Sequence, residues 1–277
     1  MRLNANLPVV GLIDGITGRV QPGGGEAILW LHGYTLDSSS WGQIWSLMPG
    51  WEHVGPDLPG HGGSDPVSAS YNLTDVGHRL GMFCRERGIR HLAALSFGTL
   101  TAMEILIQFP DLFASVVLGA PALAGGHSDP EMAESYSKLI GLYRREGPTP
   151  ALQRIWLQSR AWRGIEKAPG LRELLSGLVA RHRWTELGAF AWMRQFTAPT
   201  KLAELERIRS EVLVLVGEDE MPAFRKNADL LEKTIPRCVQ RLLPATDHLC
   251  MLQAPALAAP IMDRHFRTHA HRTPEKS

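Results

Sequence analysis

Residues Leu92-Ala93-Ala94-Leu95-Ser96-Phe97-Gly98-Thr99 read as the end of a buried strand, a serine flanked by small residues, and the opening of a helix. A nucleophile on a sharp strand-to-helix turn has a strained backbone, and large side chains two positions away on either side would collide. The helix start behind the serine also brings N–H groups and a positive dipole end to the reacting centre. The usual form is Gly-x-Ser-x-Gly; here Ala94 stands at the first glycine position, and alanine is small enough for the turn.

Outward from this elbow, apolar runs suited to buried strands recur. They cover Ala27 to Leu31, Glu52 to Gly55, His91 to Leu95, Ser115 to Leu118, Val212 to Val216 and Val239 to Leu243. Their hydrophobicity is continuous rather than alternating, which predicts a parallel sheet covered on both faces. Helical segments lie between them. Val76, Leu80, Phe83 and Arg87 share a face, with Thr74 as the expected N-cap and Gly88 at the end. A second helix runs from Phe97 to about Gln108 and must stop near Pro110. This alternation predicts an α/β fold with right-handed crossovers. From Leu123 to Pro199 strand-like runs vanish; the segment is helical in composition and holds Trp156, Trp162, Trp184 and Trp192. It reads as a helical insertion between two strands, and the polar tail after about Phe266 is expected to fray.

The composition fits a soluble globular chain of 277 residues, 44% apolar and 21% charged, with a formal net charge of +1. A chain of this length buries a sizeable core without disulfides or metal. Nothing in the charge total points to nucleic acid or a membrane surface. The three cysteines, Cys84, Cys238 and Cys250, have no metal-like spacing and read as buried or half-buried thiols in a reducing compartment. The first residues, Met1 to Asn6, lack the basic and apolar regions of a signal peptide, and Pro8, Asp14 and Gly15 break up the apolar residues beyond them. No apolar run approaches the roughly 18 residues of a membrane span. A cytoplasmic protein with no metal or cofactor is the expectation.

Two more segments carry chemistry. Leu31-His32-Gly33-Tyr34 follows the first strong strand. A tetrahedral oxyanion needs two backbone donors, and the N–H groups of Phe97 and Tyr34 are the candidates, with the His32 side chain read as structural. Asp247-His248 follows the last strand, and a loop there gives a general base its mobility. Of eleven histidines, His265, His269 and His271 lie in the tail and His182 in the insertion. His53, His61, His78 and His91 precede the serine, and His127 comes too early for the order nucleophile, acid, histidine. His248 remains. The acid that would orient it lies among Glu218, Asp219 and Glu220, directly after Val212 to Gly217, and spacing alone does not choose.

With these segments goes Pro56-Asp57-Leu58-Pro59-Gly60-His61-Gly62-Gly63-Ser64-Asp65. Together they resemble the α/β-hydrolase superfamily, in family order over roughly residues 25 to 265. The resemblance implies an α/β-hydrolase fold, a mostly parallel central sheet flanked by helices. The core would comprise residues 1–122 and 200–277, with residues 123–199 as a helical cap. It also implies that His61 and Asp57 shape a turn rather than react. Relatives often carry Gly-Glu-x-Asp-x-Pro-x-Phe, and Gly217 to Phe224 fits that frame with Glu220 at the acid position and Asp219 as the alternative. A serine elbow argues against the aspartate-dependent dehalogenases and epoxide hydrolases that the fold resembles.

The implied activity is hydrolysis of an ester or thioester through an acyl-enzyme on Ser96. Carbon–carbon bond hydrolysis with the same three residues is the alternative, as is a non-hydrolytic lyase or cyclase. Trp156, Trp192 and Met193 are the candidates for lining a small-molecule acyl pocket. Between Lys138 and Arg194 there are eleven Lys and Arg against four Glu, which suggests an anionic or carrier-bound substrate.

Overall fold

The structure, a computed structural model, describes residues 7–270 except Pro169 and Thr197. Eight strands form one sheet: β1 (Val10–Ile13), β2 (Ile16–Gln21), β3 (Ala27–Leu31), β4 (Glu52–Pro56), β5 (His91–Leu95), β6 (Ser115–Gly119), β7 (Glu211–Gly217) and β8 (Cys238–Leu243). Their spatial order is β1-β2-β4-β3-β5-β6-β7-β8. From β4 to β8 every pairing is parallel, and every residue of β5 and β6 is buried. Continuous apolar runs therefore mark β3, β5, β6 and β7 as covered on both faces, as the sequence predicts. In contrast, β8, expected as a buried run over Val239 to Leu243, is an edge strand with Val239 and Leu242 exposed.

The antiparallel hairpin of β1 and β2 escapes that reading. Its strands carry exposed and half-buried residues in place of a buried run, and the Asp14-Gly15 pair turns the chain with Gly15 at φ 69°. Asp-Gly between two short strands is itself a hairpin signal. Capping gives a second correction. The helix Leu73–Arg87 is capped by Asn72, whose side chain accepts the Thr74 N–H, so Thr74 is inside the first turn rather than at the cap. At its other end Gly88 is left-handed (φ 67°), as a C-terminal glycine permits. The last helix, Pro255–His269, runs on past Phe266 where fraying was expected. The tail from residue 271 and the first six residues lie outside the described residues.

Between β6 and β7 the described residues contain no strand. The main helices there are Pro130–Glu146, Pro150–Leu157, Leu171–Arg181 and Phe190–Arg194. Among the described residues no helix is long and apolar enough to cross a membrane.

The strand core contains a titratable group with a consequence for stability. His53 in β4 is fully buried, stacks on Trp45 at 5.3 Å, and donates from Nε2 to the Met48 carbonyl at 2.9 Å. Burial lowers its pKa from the ordinary 6.5 to about 4. The unfolded chain therefore binds this proton more tightly than the folded one, so the contribution is complete above pH 6.5 and is lost as pH falls toward 4. It amounts to roughly 3 kcal/mol when complete. Urea midpoints should fall between pH 7 and pH 5, and His53→Gln should flatten that slope while leaving part of it to His32 and His61, which burial lowers too. An unchanged slope in the variant would contradict the assignment.

Candidate active site

The register of the parallel strands gathers the chemistry at one edge. Leu31 pairs with Ala94, Leu95 with Gly119, Gly119 with Leu215, and Gly217 with Leu243. The loops after β3, β5, β7 and β8 thus emerge side by side at the carboxyl ends, the usual place for a site in an open α/β sheet.

Ser96 sits at the turn from β5 into the helix Gly98–Gln108 with φ 50°, a left-handed conformation costly for a side-chain-bearing residue. The turn is pinned by Ser96 N–H to the Gly119 carbonyl (2.8 Å) and by Thr99 N–H to the Ser96 carbonyl (2.9 Å). Ser96 Oγ lies 2.7 Å from His248 Nε2. His248 Nδ1 lies 3.0 and 3.1 Å from the two oxygens of Glu220, and both residues are buried. An edge-on contact with the Phe224 ring, at 4.4 Å, fixes the imidazole plane further.

The three consecutive carboxylates have separate surroundings. Glu218 accepts the Ala245 N–H with its side chain, while the Glu218 and Asp219 N–H groups bond the Leu243 and Thr246 carbonyls. These contacts zip the loop after β7 to the loop after β8. Glu218 and Asp219 are exposed, whereas Glu220 is turned inward onto His248. Asp247, beside the histidine, has its carboxyl raised above the usual range, chiefly by burial and also by the Glu220 charge, while its Oδ1 accepts the His248 N–H.

The loop after β3 is shaped by buried polar contacts. His32 Nε2 accepts the Leu58 N–H at 2.9 Å, so Nδ1 carries the proton and donates to the Gly33 carbonyl. Both nitrogens are thereby engaged, and burial lowers the pKa. Asp57 accepts the N–H groups of Ser38 and Gly63, which closes the loop around His61. Leu36 N–H closes a turn on the Gly33 carbonyl, with Thr35 left-handed at φ 63°. This turn lies against the elbow, since a Cβ on Gly33 would stand 3.9 Å from Ser96 Cβ.

Above Ser96 and His248 lies a cavity of about 270 Å3. Trp156 and Met193 line it, together with Gly33, Tyr34 and Phe97. Trp192, expected in the pocket, is instead fully buried behind it, 5.4 Å from the Tyr34 ring and 5.9 Å from Phe97. Sequence reasoning missed Tyr136, Trp162, Phe196 and Phe224, which also line the cavity. The spacing of Met132, Tyr136 and Ile140 along Pro130–Glu146 is a helical stripe from which part of this wall was legible. Among the described residues no Lys or Arg lines the cavity, and Asp129 is the one Asp or Glu that does. Among the described residues no cluster of His, Cys, Asp and Glu could hold a metal ion.

Comparison with known proteins bears on the family. A curated relative, the dihydrolipoyllysine-residue acetyltransferase component of the acetoin cleaving system from Cupriavidus necator, is 33% identical over 116 residues, 39% of this chain and 30% of the relative. A 2-succinyl-6-hydroxy-2,4-cyclohexadiene-1-carboxylate synthase from Enterobacter sp. is 26% identical over 58% of this chain and 63% of its own length. The chain thus spans under a third of the first relative and under two thirds of the second. Among solved structures, a thermophilic esterase from Thermogutta terrifontis superimposes with TM-score 0.76 at 21% identity over 92% of this chain and 94% of that one. The 2-hydroxy-6-oxo-6-phenylhexa-2,4-dienoate hydrolase of Rhodococcus sp. superimposes with TM-score 0.70 at 19% identity over 94% and 99%. At these identities the two structures speak to the fold. The model of the alpha/beta hydrolase family matches residues 28–260, which take in six of the eight strands and the site at their carboxyl ends, and the chain belongs to that family.

Proposed function

We propose that the chain is a serine esterase or thioesterase acting on a small, uncharged acyl group. The observation that carries this is the chain of contacts from Ser96 Oγ through His248 to Glu220, at the floor of an aromatic cavity. Ser96 Oγ attacks the acyl carbonyl as His248 Nε2 takes its proton, and Glu220 balances the imidazolium that forms. The N–H groups of Phe97 and Tyr34 receive the oxyanion. His248 returns the proton to the departing alcohol or thiol, and water, activated by the same imidazole, then cleaves the acyl-enzyme.

Residues 123–199 serve in this reading as a cap whose aromatic side chains hold the acyl group. The cavity is at the small end of ligand sites, about 300 Å3. Its described lining residues, which include no Lys or Arg, rank an uncharged acyl group above the carboxylates named for the synthase and the dienoate hydrolase. The basic residues between Lys138 and Arg194 offer their charge outside this lining, where an acidic carrier would meet them.

Intact-mass analysis after treatment with a fluorophosphonate should give one adduct, absent in Ser96→Ala. In a p-nitrophenyl ester series, a neutral ester should exceed the succinyl half-ester of similar size at least about tenfold in kcat/KM, the factor that 1.4 kcal/mol of unpaired charge supplies. No adduct on folded protein would sink the serine assignment, and equal rates would sink the uncharged acyl group. A coenzyme A thioester inhibited by salt no more steeply than a neutral ester would remove the acidic-carrier role.

A further inference from the structure

Outside the contacts assigned above lies a second buried polar cluster that joins the helical segment to the loop after β3. Tyr34 Oη donates to Glu186 Oε1 at 2.6 Å, and His182 Nε2 meets the same oxygen at 3.0 Å. Glu186 belongs to the short helical turn Thr185–Gly188, 152 positions beyond Tyr34. Its side chain is fully buried, and Oε2 meets no hydrogen-bond donor among the described residues. The Tyr34 ring is enclosed by Trp156 at 5.0 Å, Trp192 at 5.4 Å, Tyr136 at 5.5 Å and Trp184 at 6.3 Å, all from between β6 and β7. Phe97, the residue after the nucleophile, lies 5.8 Å from the same ring.

A half-satisfied buried carboxylate is a poor way to gain stability, because an apolar side chain of similar volume would pack there without desolvation. Thr35, the next residue, holds a left-handed conformation that a β-branched residue adopts only when its surroundings impose it. One cost lies on the carboxylate that bonds the Tyr34 phenol, and the other in the turn that carries the Tyr34 amide. We propose that Glu186 is a positioning residue: it grips the Tyr34 phenol from the helical segment and so holds the Tyr34 N–H where it receives the oxyanion. The oxyanion site is then complete only while the helical segment is seated. This rests on the acyl-transfer reading above. Burial and the Glu186 charge push the Tyr34 phenol well above its ordinary pKa, which keeps it a donor.

The test compares Tyr34→Phe, which keeps the ring and loses the bond, with Glu186→Leu and with Glu186→Gln, which retains an acceptor oxygen. Each is measured for kcat and KM on a neutral ester and for the rate of fluorophosphonate capture by Ser96, with folded protein quantified. Tyr34→Phe and Glu186→Leu should lower kcat and capture by about 10- to 100-fold, less than outright removal of a donor, with KM nearly unchanged. Glu186→Gln should recover most of the rate, and the Tyr34→Phe, Glu186→Leu double variant should lose no more than the worse single one. If Glu186→Leu does not fold, Tyr34→Phe alone decides. A lowered melting temperature with kcat per folded molecule unchanged, or a raised KM at full kcat, overturns the positioning role while Ser96→Ala remains inactive. Turnover by Ser96→Ala overturns the acyl-transfer reading and the inference with it.

Discussion

Replacing Glu220 by Gln is expected to lower kcat by about 10^4, a large loss though about 100-fold short of that on removing Ser96 itself. The amide matches the carboxylate in shape, so the protein should fold with its contacts near Ser96 intact. What changes is the sense of the bond at His248 Nδ1: Glu220 Oε1 also accepts the Met221 N–H, so the amide nitrogen takes the place of Oε2, now 3.1 Å from Nδ1. An amide nitrogen there favours the tautomer with its proton on Nε2, the atom that must accept from Ser96 Oγ at 2.7 Å. It also removes the negative charge that balances the imidazolium. Glu220→Asp tests the reach: the backbone is set for the longer side chain, and withdrawing the carboxylate by about 1 Å should cost on the order of 100-fold. Asp219→Asn should leave kcat within the scatter of the assay, since that side chain is exposed while Nδ1 meets Glu220. The measurement is single-turnover acylation with a chromogenic ester, alongside melting curves. Full activity in Glu220→Gln, or a collapse in Asp219→Asn, would move the acid.

That contrast shows what a sequence carries and what it does not. The strands β3, β5, β6 and β7 are legible because full burial on both faces leaves a continuous apolar run, a local property. Ser96 is legible because a strained turn demands small neighbours at fixed spacing. The hairpin β1–β2 is not legible from apolar runs, since an edge pair buries too little to show one. Among Glu218, Asp219 and Glu220 the inward direction depends on how the loops after β7 and β8 bond each other, a contact between segments more than twenty residues apart. The same holds for the tryptophans. Trp156 faces the cavity and Trp192 faces Tyr34, and composition says nothing of which way a helix is turned. The Tyr34–Glu186 bond spans 152 positions and leaves no local trace.

The second large effect concerns the glycine that the elbow cannot replace. A Cβ on Gly98 would stand 2.4 Å from the Leu31 carbonyl oxygen and 2.7 Å from that of His32. Both are backbone atoms at the end of β3, so no side chain can swing aside; the helix Gly98–Gln108 and β3 would have to part. Overpacking of this kind costs typically 1–3 kcal/mol where side chains adjust, and backbone against backbone places Gly98→Ala at or above about 3 kcal/mol. Separation also displaces the Phe97 and Tyr34 N–H groups from each other, so acylation per folded molecule should fall by about 100-fold or more. Ala94, on the other flank, is fully buried in β5 with its Cβ accommodated. Ala94→Gly, which restores the commoner elbow sequence, should lose only about 1 kcal/mol, from backbone entropy and a methyl-sized gap, and leave acylation intact. Urea unfolding with fluorophosphonate capture on the same preparations separates the two. Equal losses at both positions would mean that the elbow is crowded alike on its two flanks, and the close approach of Gly98 to β3 would no longer explain why one flank admits a methyl group and the other does not.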